Sequence, residues 1–241
     1  VISLAIGFLS VYFFHMRADE VGIIEGAPPD DPPKAGLGKF LAEEGAWLFG
    51  AFAVTILLTS FLQTWGGVLA ALAPAVALFG LHGLVGIHVV RTEFSKLAVW
   101  FHIDRKAVGW GLAGGTFLLA FNALYGLMLD RFGVVPPDIA AMLRGLLPEY
   151  ALVAWAVILA PIVEEMYFRG RLIDSFGLKL GPRWAGTISS LAFAAIHGIP
   201  AFFPAYVVFA FVLLALRRRT GGLAAPILAH MINNGFALLG S

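Results

Sequence analysis

Residues 160–172 read APIVEEMYFRGRL, with two adjacent glutamates, Glu164 and Glu165, and an arginine, Arg169, directly behind an apolar run. How that run is read decides the fold, because a bilayer-spanning segment carries such groups only for a reason. Composition settles the solvent. Of 241 residues, 60% are hydrophobic and 13% charged, against roughly 45–50% and ~25% in soluble domains. The mean hydropathy is +0.88. The chain is read as an all-α, polytopic transmembrane helical bundle. Zero cysteines exclude disulfides, thiol nucleophiles and cysteine metal sites. The basic residues are scattered over loop positions and form no stripe for nucleic acid. The first residue is Val1, so the natural start is expected upstream.

On either side of this stretch, apolar runs separated by charged or Gly/Pro-rich breaks fall at about residues 1–14, 40–62, 66–90, 107–129, 150–173, 184–199, 201–216 and 223–239. Eight helices are therefore expected. Backbone groups in hydrocarbon must satisfy one another, and none of these runs alternates as barrel strands do. The Pro/Gly-rich segment 25–39 reads as an interfacial loop. Lysines and arginines concentrate in alternate loops: Arg17, Lys34 and Lys39; Arg91, Lys96, Arg105 and Lys106; Arg169, Arg171, Lys179 and Arg183; and Arg217, Arg218 and Arg219. Arg131 and Arg144 alone fall in the opposite set. By the positive-inside rule this places both termini outside the cytoplasm.

The run at 150–173 is expected to end near Asp174 and turn over Gly177–Pro182, leaving Glu164 and Glu165 on the order of 15–20 Å from the turn at ~1.5 Å per residue. The next run returns antiparallel, and FAAIH brings His197 to the level of Glu164. HMINN puts His230 and Asn234 about 12–18 Å from the Arg217–Gly222 turn by the same rise. His230 and Asn234 share a face at i, i+4, as do Phe193 and His197. Neighbours on a helix point about 100° apart, so Glu164 and Glu165 cannot both face one small site. Glu165 and Arg169 have the i, i+4 order favourable to an ion pair, which leaves Glu164 as the candidate reactive group. A neutralised Glu165–Arg169 pair near an interface is the bland alternative, and it leaves Glu164 unexplained. His82 and His88, six residues apart, and His15 and His102, beside basic loops, are read as packing or interfacial residues. Gly170, Gly198 and Gly235 are candidates for close helix approach or a backbone break.

A carboxylate beside a histidine in a low-dielectric cavity can act as general base on water, and a second histidine with an i+4 asparagine can donate to an oxyanion. That is equipment for peptide hydrolysis. Neither G-x-S-x-G nor H-E-x-x-H occurs. Glu164, His197 and His230 also resemble the ligand inventory of a catalytic zinc, so a metal-assisted route stays open beside a cofactor-free one.

The ordered trio EEMYFR, FAAIH and HMINN resembles the pattern of the CPBP intramembrane proteases, a family that includes the CAAX prenyl endopeptidases and the Abi proteins. The resemblance covers residues 150–240. It implies one transmembrane protease domain over 1–241, of CAAX-protease-like fold. The compactness of the chain and its Arg/Ala/Gly-rich composition point to a prokaryotic plasma membrane. It further implies that Glu164 and His197 activate water and that His230 and Asn234 stabilise the oxyanion, with Glu165, Arg169 and Phe193 in support. The expected partners are the bilayer and a membrane-associated protein or peptide, prenylated or cut near its C-terminal tail. A non-enzymatic transporter or immunity scaffold using the same buried groups is the alternative from another class.

Overall fold

The computed structural model describes residues 36–239 apart from Pro136 and Gly198. The helix expected at 1–14, and with it His15, Arg17, Lys34 and Gly198, lies outside the described residues. The rest is helical throughout: α1 (Leu37–Trp65), α2 (Gly67–Trp100), α3 (Arg105–Arg131), α4 (Ile139–Arg144), α5 (Glu149–Leu180), α6 (Pro182–Ile196), α7 (Pro200–Thr220) and α8 (Ala224–Leu239). Five of these, α1, α2, α3, α5 and α7, are long and apolar enough to cross a membrane. With 15 residues in α6 and 16 in α8, the two others expected to cross fall short of the ~20 a full crossing needs.

Local chemistry sets the boundaries. Asp104 caps α3 by accepting from the Ala107 amide at 2.6 Å, and Asp138 does the same for α4 from Ala141 at 2.8 Å. The proposed interfacial loop stops short of Lys39, which is already inside α1. The turn expected over Gly177–Pro182 shrinks to Gly181, whose φ of 81° suits glycine, so α5 continues past Asp174 to Leu180. Pro182 then opens α6 at a position where a missing N–H is harmless.

Two prolines inside helices have larger effects. Pro74 lies in α2, and the chain widens into a π turn at Val76–Gly80 directly after it. Pro161 in α5 follows a π turn at Ala154–Leu159, and a second one covers Met166–Leu172. A proline ring clashes with the carbonyl four residues earlier and supplies no donor, so a wider turn beside it relieves the contact.

Packing is inside-out relative to a soluble domain. Phe49, Leu57, Val68 and Phe94 are exposed, while Glu165, Arg169 and His230 lie in the core with Trp100, Phe193 and Leu213. Such an arrangement suits lipid outside and a polar interior. Close approach is provided by glycines on α3: a Cβ on Gly115 would sit 2.9 Å from Ile232 of α8, and one on Gly111 2.9 Å from Leu228. Gly170 lies equally tight against the Trp100 indole, at 2.7 Å, whereas Gly235 meets only an ordinary contact with Val157.

Ion pairs gather the helix ends. Lys96 of α2 contacts Asp174 of α5 at 3.2 Å, Arg217 of α7 reaches the same carboxylate at 3.8 Å, and Lys179 donates to the Gly36 carbonyl before α1 at 3.0 Å. Arg171 binds Glu44 of α1 and, at 2.7 Å, Glu93 of α2, with His88 3.2 Å from Glu44. The loops that the charge pattern assigned to one side thus meet at one end. At the other end Arg144 donates to the Leu238 carbonyl and Tyr125 to that of Ala201 at 2.7 Å. The bundle is a multi-pass membrane protein.

Candidate active site

The adjacent glutamates of α5 diverge, as their 100° separation requires. Glu165 is fully buried, and its Oε1 accepts from Arg169 Nη1 at 3.1 Å and from His230 Nδ1 at 3.0 Å. The i, i+4 pair is therefore present, at 0% and 1% side-chain exposure, so the guanidinium does not snorkel out of the protein. Arg169 also donates from Nη2 to the Ala210 carbonyl at 3.2 Å and lies 4.4 Å over the Phe193 ring. Glu164 points elsewhere, 18% exposed, with Oε1 3.4 Å from His82 Nε2 and Oε2 3.8 Å from His230 Nε2. It is the more accessible carboxylate of the two.

His230 of α8, 3% exposed, stands between them. The Glu165 carboxylate can only accept, so His230 Nδ1 carries a proton and Nε2 faces Glu164. Edge contacts from Phe209 at 4.8 Å and Phe193 at 6.0 Å hold the ring. One turn on, Asn234 donates from Nδ2 to the Ala156 carbonyl at 2.9 Å and accepts from Asn233 at 3.3 Å. That carbonyl needs the bond: in a π turn its partner would be the amide of residue 161, which is a proline. One Asn234 amide hydrogen remains uncommitted to it. The Phe168 carbonyl, in the third π turn, is likewise taken by a side chain, Ser189 of α6, at 2.5 Å.

His197 lies one residue past the end of α6, as its cap. Its Nδ1 donates to the Phe193 carbonyl at 2.8 Å, which leaves Nε2 bare in the neutral ring, and it packs between Phe193 and Tyr206 at centroid distances of 4.6 and 4.3 Å. Glu164, Glu165, Arg169, Phe193 and His230 are thus linked by contacts around one interior, and Asn234 lies one turn beyond His230 on α8, bound to Ala156 and Asn233. His197 joins through Phe193, and no direct bond ties it to Glu164.

Two residues read from sequence as packing histidines prove to be paired. His82 of α2 contacts Glu164, with its Nδ1 2.9 Å from the Leu78 carbonyl and the Trp155 indole edge-on at 5.4 Å. His88 contacts Glu44 in the charged cluster. Their different partners follow from a six-residue spacing that does not share a face. The one sequence signal for His82 was its presence in an apolar run, which alone does not say what it meets.

The zinc reading requires Glu164, His197 and His230 to converge. Among the described residues no three His, Asp or Glu side chains are arranged to hold a metal ion; of the three named donors, His230 and Glu164 approach each other, at 3.8 Å.

Comparison with known proteins agrees with the region that carries these residues. Residues 146–236 match the family model described as type II CAAX prenyl endopeptidase Rce1-like. The membrane-embedded CAAX protease MroQ of Staphylococcus aureus (strain USA300) is 27% identical over 145 residues, 55% of this chain and 57% of that protein. YdiL of Bacillus subtilis (strain 168), a candidate membrane peptidase, is 32% identical over 82 residues, 34% of each chain. The matches thus span 57% and 34% of these relatives' lengths. No solved structure matches the chain.

Proposed function

Since the chain belongs to the CAAX-protease and Abi-like family of intramembrane endopeptidases, we propose that it hydrolyses a peptide bond of a membrane-associated protein or peptide with water activated by Glu164 and His197. The Glu164 carboxylate takes one proton from water as the water oxygen bonds to the scissile carbonyl carbon. The carbonyl π pair moves to oxygen. His197, with Nε2 bare, orients the water by accepting its second hydrogen. The proton on Glu164 then passes to the amide nitrogen, the C–N bond breaks, and an amine and a carboxylic acid leave.

The tetrahedral oxyanion is met by His230 Nε2 and by the spare hydrogen of Asn234 Nδ2. For His230 to donate from Nε2 while Nδ1 donates to Glu165, the ring must be an imidazolium. Glu165 on one side and Glu164 on the other are the groups that hold that cation, and Arg169 fixes Glu165 behind it. The single observation that carries the reading is the pair of glutamates on opposite sides of His230. By the positive-inside rule the end bearing Lys96, Lys179 and Arg217 faces the cytoplasm, which leaves the Leu239 end of α8 outside.

The test uses purified protein in micelles with membrane peptides, including one with a prenylated C-terminal cysteine. Cleavage by the wild-type chain, lost in both Glu164→Gln and His197→Ala, is expected. Unchanged turnover in both variants rejects the assignment. Proton-coupled flux in liposomes that survives replacement of His230 and Asn234 supports a transporter instead.

A further inference from the structure

His82 reaches the proposed general base from α2, outside the three motif-bearing helices and outside the region 146–236 of family likeness. Its surroundings fix its chemistry. The Leu78 carbonyl, 2.9 Å from Nδ1, can only accept, so Nδ1 carries a proton. The Trp155 indole N–H at 3.3 Å would need that nitrogen bare, and the shorter contact decides against it. Nε2 then faces Glu164 Oε1 at 3.4 Å. A bare Nε2 opposite an ionised carboxylate would set two lone pairs against each other. The contact is attractive only if one proton lies between them, carried by His82 as an imidazolium and shared with Oε1, so that Glu164 stays a carboxylate.

We propose that His82 is a positioning residue which holds Oε1 of Glu164 through one shared proton, leaving Oε2, on the His230 side, as the oxygen that meets the hydrolytic water. The proposal rests on Glu164 being the base, as set out above. The ring has little freedom to do otherwise. Leu78 lies in the π turn after Pro74, Trp155 lies in the π turn before Pro161, and both hold the imidazole from their own helix. Each side chain is less than one-fifth exposed, so water competes poorly for the contact. A proton held against Oε1 by His82 also breaks the equivalence of the two carboxylate oxygens, so that only one presents itself as acceptor.

The proton is read directly by ring 15N spectra of the protein in micelles, with the His82 signals identified among the six histidines by their loss in His82→Phe. The wild-type ring is expected to carry a proton on Nδ1 and a full or shared proton on Nε2. In Glu164→Gln the neutral Nδ1–H ring is expected, its Nε2 accepting from the amide. A wild-type Nδ1 without a proton, or His82 signals that Glu164→Gln does not move, overturns the proposal.

Kinetics on a prenylated quenched-fluorescent peptide give the second arm. His82→Phe should lower kcat about a hundredfold by loosening the base, with KM within about twofold, and His82→Gln, whose amide can reach Oε1, should recover most of the loss. Equal losses in the two variants, or a loss carried by KM, refute it. If Glu164→Gln cleaves as fast as wild type, the protease reading fails, and the spectra still decide whether His82 and Glu164 share a proton.

Discussion

Arg169→Met removes a buried guanidinium from a membrane interior and keeps much of its volume. In the wild-type chain that group donates to Glu165 Oε1 at 3.1 Å and to the Ala210 carbonyl at 3.2 Å, and it lies 4.4 Å over Phe193. Breaking a buried pair by removing one partner costs about 3–5 kcal/mol, because the remaining charge stays buried and uncompensated. Glu165 here keeps a second donor, His230 Nδ1 at 3.0 Å, which places the expected loss at the lower end, ~3 kcal/mol. That is on the order of a hundredfold in the folding equilibrium, at 1.4 kcal/mol per factor of ten. The companion variant Arg169→Met with Glu165→Gln removes both charges, and replacing a buried pair by neutral groups is often close to neutral. It should therefore recover at least half of the loss. Unfolding in mixed micelles, titrated with a denaturing detergent, measures both. A single variant destabilised by less than ~1 kcal/mol, or a double variant no better than the single, would refute the account of Glu165 as a buried anion held by two cationic donors.

The remaining predictions use the same assays. Glu44→Ala leaves Arg171 with Glu93 alone and His88 without its carboxylate, so mixed-micelle unfolding should show a loss of about 3–5 kcal/mol. Gly170→Ala drives a methyl to within 2.7 Å of the rigid Trp100 ring and should destabilise by about 1–3 kcal/mol, whereas Gly235→Ala, with its nearest contact at 3.6 Å, should stay within ~0.5 kcal/mol. Asn234→Ala strands the Ala156 carbonyl at about 1–3 kcal/mol of stability and, through the oxyanion, should lower kcat about 100- to 1,000-fold. A chelator should leave turnover unchanged; activity lost to chelator and restored by zinc alone would establish the metal route.

The positions of most helices were legible because spanning a bilayer is a local demand: about 20 apolar residues in a row, with polar or Gly/Pro breaks, need no tertiary information. The alternate basic loops were legible for the same reason, and their gathering at one end by Lys96, Asp174, Arg217 and Lys179 agrees with that pattern. The extension of α5 to Leu180 was not, since a polar residue such as Asp174 reads as a boundary until Lys96 and Arg217 are seen beside it.

Within the site, the sequence by itself determined what one helix can decide: that Glu164 and Glu165 diverge, that Glu165 meets Arg169, and that His230 and Asn234 share a face. These follow from a repeat of 3.6 residues per turn. Only the tertiary structure decided which side chain meets which across helices: His230 between the two glutamates, Asn234 on the carbonyl opposite Pro161, His197 on Phe193, and His82 against Glu164. The physical reason lies in the π turns. Each inserts about one residue and so rotates everything beyond it by about 100°, and no regular periodicity carried along α2 or α5 can foresee that rotation.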